Sequence, residues 1–291
     1  MTWKRVATAA VLIPVVLGLV LLASTAWVAV ALAVVTVLAL WEYFALGDAI
    51  GHRAYRFWTL ASAILLLYLQ WLAAIEPKYQ LAGGLSLHRE IGRFVTLPEG
   101  VQGAFMFFLL GVTAMTLCDR RPLVEALPAA GISSSALLLI AFPLSFAVRL
   151  HGLGTEGRWL LLFALLITWA NDTVAYFVGR SIGKHKLAPA LSPKKTWEGS
   201  LAGLAASLLV GWLFSRWLNA PVPHLLLMAA VGNVAGQTGD LLESAYKRSA
   251  GVKDSGGLLP GHGGVLDRID ALILAIPVVW YYWTLVYSPG S

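Results

Sequence analysis

The chain has 291 residues, of which 58% are hydrophobic and only 12% charged. A soluble domain carries about 25% charged residues, so the composition excludes an ordinary soluble globule and describes a polytopic membrane protein. The formal charge of +6 lies in short segments between apolar runs, which suits membrane topology rather than nucleic acid; the single cysteine, Cys118, excludes an intramolecular disulfide or a cysteine metal cluster.

A membrane helix needs about 20 mostly apolar residues. By that measure about nine spans are predicted, at about 6–24, 25–46, 57–75, 101–118, 124–148, 158–179, 198–217, 223–245 and 265–287. The first follows Lys4 and Arg5, but its apolar core outruns that of a signal peptide. A second span follows at once, so the pair reads as an uncleaved hairpin. With the N-terminus inside, only Lys78, Arg89, Arg93, Arg149, Arg158 and Arg216 of the 21 Lys and Arg fall outside, an asymmetry that sets the orientation. The expected fold is all-α, an integral membrane protein whose catalytic cavity faces the cytoplasm. Residues 1–157 read as anchoring helices and 158–291 as the catalytic region. Glu42 and Asp48 end the second span and read as interfacial acids paired with Arg53 or Arg56. The exterior loop 76–100 suggests no chemistry.

Chemistry begins in the sixth span, where Asp172 interrupts an apolar run, with Tyr176 and Gly179 on its face. A charge at a helix centre costs about 2.5–3.5 kcal/mol on insertion scales, so Asp172 must face a polar cavity or a partner. The following Gly179-Arg180-Ser181-Ile182-Gly183-Lys184 is one residue short of a phosphate-binding P-loop, and His185 stands where Ser or Thr is required. Ser192 suits a helix N-cap and Pro193 the first helical position. Lys194 and Lys195 would then oppose the dipole of the seventh span unless an anion docks on its free N–H groups.

In the eighth span Asn233, Gln237, Asp240 and Ser244 share one helical face and read as lining a site. Gly232, Gly236, Gly239 and Glu243 run beside them, mostly small residues that admit a close neighbour. Then Ser244 to Asp270 gathers Lys247, Arg248, Lys253, Asp254, His262, Gly263, Gly264, Asp267, Arg268 and Asp270 between two apolar runs. Its lysines and arginines suit phosphate, its glycines admit close backbone approach, and its carboxylates suit a hard cation such as Mg²⁺. Asp267 and Asp270 lie on one side of the ninth span. Alone each would be a helix cap, but opposite Asp240 they read as metal ligands.

These residues resemble the signature of the phosphatidate cytidylyltransferase family: S-x-aliphatic-K-R, four residues, K-D, a glycine-rich linker, H-G-G, then D-R-x-D. Tyr246 departs mildly at the aliphatic position. The resemblance covers about residues 165–285, including blocks around Asp172 and Ser192 to Gly199. It implies CTP and phosphatidate as substrates, CDP-diacylglycerol and pyrophosphate as products, and Mg²⁺, in a two-metal site, as cofactor. On this reading Asp240 and Asp267 are metal ligands supported by Asp270, and Asp172 is catalytic. Lys194, Lys195, Lys247, Arg248 and Lys253 clamp phosphates, assisted by Ser192, Ser244 and Arg268. His262 orients a phosphate, while Gly263 and Gly264 let the backbone approach. A homodimer in the cell membrane is expected (the inner membrane in a Gram-negative source), with no nucleic-acid partner. The alternatives are a cytidylyltransferase or CTP-dependent kinase for another membrane lipid, and a secondary transporter. The motifs of a CDP-alcohol phosphotransferase are absent from the sequence.

Overall fold

A computed structural model describes residues 2–81, 98–258 and 263–287, with side chains described within 10–75, 100–258 and 263–287. Among the described residues, eight helices are long and apolar enough to cross a membrane, and the first helix adds the shorter apolar stretch Ala10–Leu22. The architecture is therefore that of an all-α polytopic membrane protein. The chain divides into two compact units: Met1–Leu153 with Ser255–Leu266, and Gly154–Asp254 with Asp267–Ser291.

The first unit contains α1 (Thr2–Leu22), α2 (Thr25–Ala49), α3 (Arg56–Leu81), α4 (Pro98–Cys118), α5 (Ala126–Ala136) and α6 (Phe142–Gly152). A π-helical turn, Leu137–Ala141, joins α5 to α6 just before Pro143. Proline lacks the N–H that an α-helix needs there, and a π turn accommodates the break. Lipid is as apolar as leucine, so helices in a bilayer associate through close packing and hydrogen bonds. Here Ala63 and Leu66 of α3 and Leu144 and Ala147 of α6 are buried, while Gln70 donates to Ser145 Oγ at 3.1 Å. Buried His151 at the end of α6 meets Thr25 Oγ1 at 3.0 Å and the Val20 carbonyl at 3.1 Å. Asp48 pairs with Arg56, as the sequence predicts.

A cleft of about 1200 Å³ in this unit is lined by Arg53, Arg56, Arg120 and Arg121 with Asp48 and Asp119. Asp119 pairs with Arg121 at 3.0 Å. Arginines at span ends are ordinary membrane anchors, and no constellation of reactive groups converges there among the described residues.

The second unit contains α7 (Thr155–Ile182), a hairpin of β1 (Lys186–Ala188) and β2 (Ser192–Thr196), α8 (Trp197–Leu213), α9 (Val222–Ser249) and α10 (Leu266–Tyr281), which runs into a π-helical end, Tyr282–Tyr287. The hairpin corrects one expectation. Ser192 is not the N-cap of the seventh span, and Lys194 and Lys195 are not in its first turn. Both lysines lie in β2, and Thr196 is the N-cap, its Oγ1 accepting from the Gly199 N–H at 3.2 Å. The physical reason is competition between caps. Glu198 accepts from the His185 backbone N–H at 3.2 Å and meets its ring Nδ1 at 2.7 Å, so the chain stays extended until Thr196.

A second difference concerns Ser244 to Asp270. α9 continues to Ser249 rather than ending near 245, so Lys247 and Arg248 are helical, as Ser244 is expected to be. Lys247 and Arg248 in the last turn favour the negative end of the helix dipole, and Gly251 follows at φ +69, a conformation that ends helices.

Candidate active site

Helices α7, α8 and α9 cross closely because glycines stand at the crossings. A Cβ on Gly199 of α8 would strike the Ala175 carbonyl of α7, and one on Gly203 would strike Asn171. On α9, a Cβ at Gly239 would run into the Asp270 carbonyl of α10. This proximity lets short polar side chains span the gaps. Ser207 Oγ donates to the Ile167 carbonyl at 2.8 Å, and buried Asn233 donates to Ser207 Oγ at 2.8 Å. Gln237 donates to Asn233 Oδ1 at 2.7 Å and to Asn171 Oδ1 at 3.1 Å, and accepts from Ser200 Oγ at 2.5 Å. Asn171 in turn donates to Asp172 Oδ1 at 3.0 Å. The polar face predicted on the eighth span therefore divides. Asn233 joins helices, whereas Gln237 and Asp240 reach open space.

That space is a cavity of about 760 Å³ within the second unit. Asp172 and Asp240 both line it, with Arg180, Lys186, Lys194 and Lys195. Lys195 Nζ lies 2.5 Å from Asp240 Oδ2. Asp172 lies in the electrostatic field of Asp240, Lys195 and Arg268. The bend of the hairpin is held by Arg248, which donates to the carbonyls of Leu191 at 3.2 Å and Val252 at 3.1 Å.

A second cluster lies on α9 and α10. Lys247 Nζ lies 2.5 Å from Glu243 Oε2 and donates to Asp267 Oδ1 at 2.7 Å. All three are sequestered: the side chains of Glu243 and Asp267 are 5% exposed and that of Lys247 12%. The contact with Glu243 is an i, i+4 ion pair within α9. Asp270 is half-buried, accepts from the Ala271 N–H at 2.6 Å, and senses the charges of Asp240, Glu243 and Asp172.

The remaining predicted residues fall as follows. Ser192 is half-buried in β2, and Ser244 is buried in α9. Lys253 and Arg268 are exposed. His262 lies outside the described residues. Gly263 has φ +80, a left-handed conformation that favours glycine. A Cβ on Gly264 would strike Ser255 Oγ and the carboxylate of Glu42, so the close approach it permits here is to a protein side chain.

Glu42 differs from its expected pairing with an arginine. It is 4% exposed and accepts from Val265 N–H at 3.0 Å, Leu266 N–H at 2.8 Å and Ser255 Oγ at 3.1 Å. Its partners are more than 200 residues away, so spacing could not reveal them; an acid inside an apolar span was the one available signal. Glu243 reads from the sequence as a companion of the small residues of α9. Its i, i+4 spacing to Lys247 was the signal for that pair.

Among the described residues no group of three or more His, Cys, Asp or Glu stands arranged to hold a metal ion. Mg²⁺ does not require one, since it takes one or two carboxylates and completes its shell with water and substrate phosphate. Asp172 and Asp240, opening on a common cavity, fit that donor set. Asp267, the other ligand expected from the sequence, stands in the second cluster beside Lys247.

A model of the cytidylyltransferase family matches residues 3–286. The phosphatidate cytidylyltransferase of Haemophilus influenzae is 32% identical over 97% of this chain and 99% of its own length. Those of Staphylococcus haemolyticus and Bacillus subtilis are 42% and 39% identical over 60% and 53% of this chain. These two matches span 65% and 58% of the relatives' own lengths.

Proposed function

Because this chain belongs to the cytidylyltransferase family, we propose that it transfers the cytidylyl group of CTP to phosphatidate, releasing pyrophosphate and forming CDP-diacylglycerol. The observation that carries this reading is the cavity in which Asp172 and Asp240 face Arg180, Lys186, Lys194 and Lys195. The reaction joins two anions. A phosphate oxygen of phosphatidate forms a bond to the α-phosphorus of CTP while the bond from that phosphorus to the β-phosphate bridging oxygen breaks. The attacking oxygen is already anionic, so no general base is obligatory. Cations are needed to offset repulsion and to neutralise the departing pyrophosphate. Lys194 and Lys195 stand on β2, a strand paired with β1, and supply that charge. Asn171 and Gln237 hold Asp172 through the hydrogen bonds described above.

Asp240 and Asp172 would hold Mg²⁺, which when bound polarises the phosphoryl oxygens. Lys195 would then move from Asp240 to substrate phosphate. The family resemblance supports a second ion and a homodimer, and the distribution of Lys and Arg supports a cytoplasmic site.

Purified protein should release pyrophosphate from CTP only when phosphatidate and Mg²⁺ are both present, and chelation should abolish the signal until Mg²⁺ is restored. Asp172→Asn and Asp240→Asn should each lower kcat by about 100-fold or more with the melting temperature retained. The double variant should lose little more, because residues acting as a unit are not additive. Faster turnover of another lipid phosphate, or multiplicative losses in the double variant, would overturn the corresponding part of this reading.

A further inference from the structure

Glu42 is a buried carboxylate in α2 that the proposed chemistry does not use. Three donors converge on it: the backbone N–H groups of Val265 and Leu266 and the hydroxyl of Ser255. The first two are among the free N–H groups at the start of α10, where a helix end favours negative charge. Two glycines make room for the carboxylate. A Cβ on Gly256 would strike Glu42 Oε1, and one on Gly264 would strike Oε2. The carboxylate is therefore enclosed by both flanks of the glycine-rich segment, and by the residues immediately preceding Asp267 in the chain.

We propose that Glu42 is a positioning residue for the cytidylyl transfer, its carboxylate fixing the Ser255 and Val265–Leu266 backbone and so the start of α10, from which Asp267 and Asp270 project. The inference rests on the function proposed above. It assigns to an N-terminal helix, otherwise read as anchoring, a part in holding the segment that leads into Asp267. The two backbone N–H groups around it can only donate, one to each carboxylate oxygen, so an amide of the same size presents an NH₂ where an N–H must be accepted.

Charge and shape can be separated by substitution in the full-length enzyme, with kcat normalised to the monodisperse folded fraction. Glu42→Gln keeps the volume and loses the charge, whereas Glu42→Asp keeps the charge and is one methylene shorter. The expected order is parent, then Glu42→Asp, then Glu42→Gln, with kcat for Glu42→Gln down about 30-fold or more and Glu42→Asp at least fivefold above it. A role in packing alone predicts the reverse order of the two variants, and that order, or a kcat for Glu42→Gln within twofold of the parent, overturns the proposal. Hydrogen exchange provides a readout independent of turnover. The peptide containing Val265 and Leu266 should exchange at least fivefold faster in Glu42→Gln while helix peptides of the second unit stay unchanged; unchanged exchange at Val265–Leu266 also overturns it. Should Glu42→Gln fail to fold, Ser255→Ala removes one donor, and a two- to fivefold kcat loss supports the proposal where full activity counts against it. If the parent releases no pyrophosphate from CTP and phosphatidate, the functional reading fails, yet the exchange result still decides whether Glu42 fixes this segment.

Discussion

Lys247 holds two carboxylates at once, and all three groups are largely shielded from solvent. Removing one partner of a buried ion pair typically costs about 3–5 kcal/mol, because the other charge is left without compensation. Lys247→Ala should therefore lower the melting temperature markedly as well as reduce activity. Adding Glu243→Gln and Asp267→Asn should recover most of the stability but not the activity, which differential scanning fluorimetry beside a pyrophosphate assay would read. Equal melting temperatures for the parent and Lys247→Ala would contradict the cluster. The motif made Lys247 legible as a cation, and phosphate as its natural partner. Glu243 lies at i, i+4 on the same helix, but that the amine also meets Asp267 depends on how α9 and α10 pack, which no local pattern encodes.

At the level of elements, the hairpin and the glycine crossings decide where the cationic side chains stand. Lys195 reaches Asp240 because β2 stays extended up to the Thr196 cap. Gly199 follows in the first turn of α8, close against Ala175 of α7. Gly199→Leu should separate the two helices and cost about 1–3 kcal/mol, the usual penalty for forcing extra volume into a packed contact. Its activity should fall by more than the loss of folded protein explains, since β2 moves with α8. A variant with parental melting temperature and turnover would show that the crossing tolerates a side chain. The small-residue pattern was readable for α9, where glycines recur every three or four positions. The hairpin was not, because Ser192-Pro193 is as good a helix start as Thr196 when judged locally.

For the whole molecule, the orientation expected from the distribution of Lys and Arg is directly testable. Cys118, exposed at the end of α4, is the only native cysteine. The predicted topology places it on the cytoplasmic side. A membrane-impermeant maleimide should leave it unlabelled in intact cells and label it after permeabilisation. With Cys118→Ser and Ser86→Cys, the latter in the predicted exterior loop, labelling should occur in intact cells. The opposite pattern would invert the topology and move the site to the other face.

The amino-acid sequence by itself determined the membrane class, the spans and the family, because these depend on apolar length, charge distribution and a long motif. It also marked Asp172, Asp240 and the lysines as chemistry-bearing, since charge in or beside an apolar run is expensive wherever the chain folds. Only the tertiary structure decided the remote partners: Asp240 with Lys195, Lys247 with Asp267, and Glu42 with a segment more than 200 residues away. Hydrogen bonds and ion pairs act over about 3 Å, and such distances between remote residues are set by helix packing.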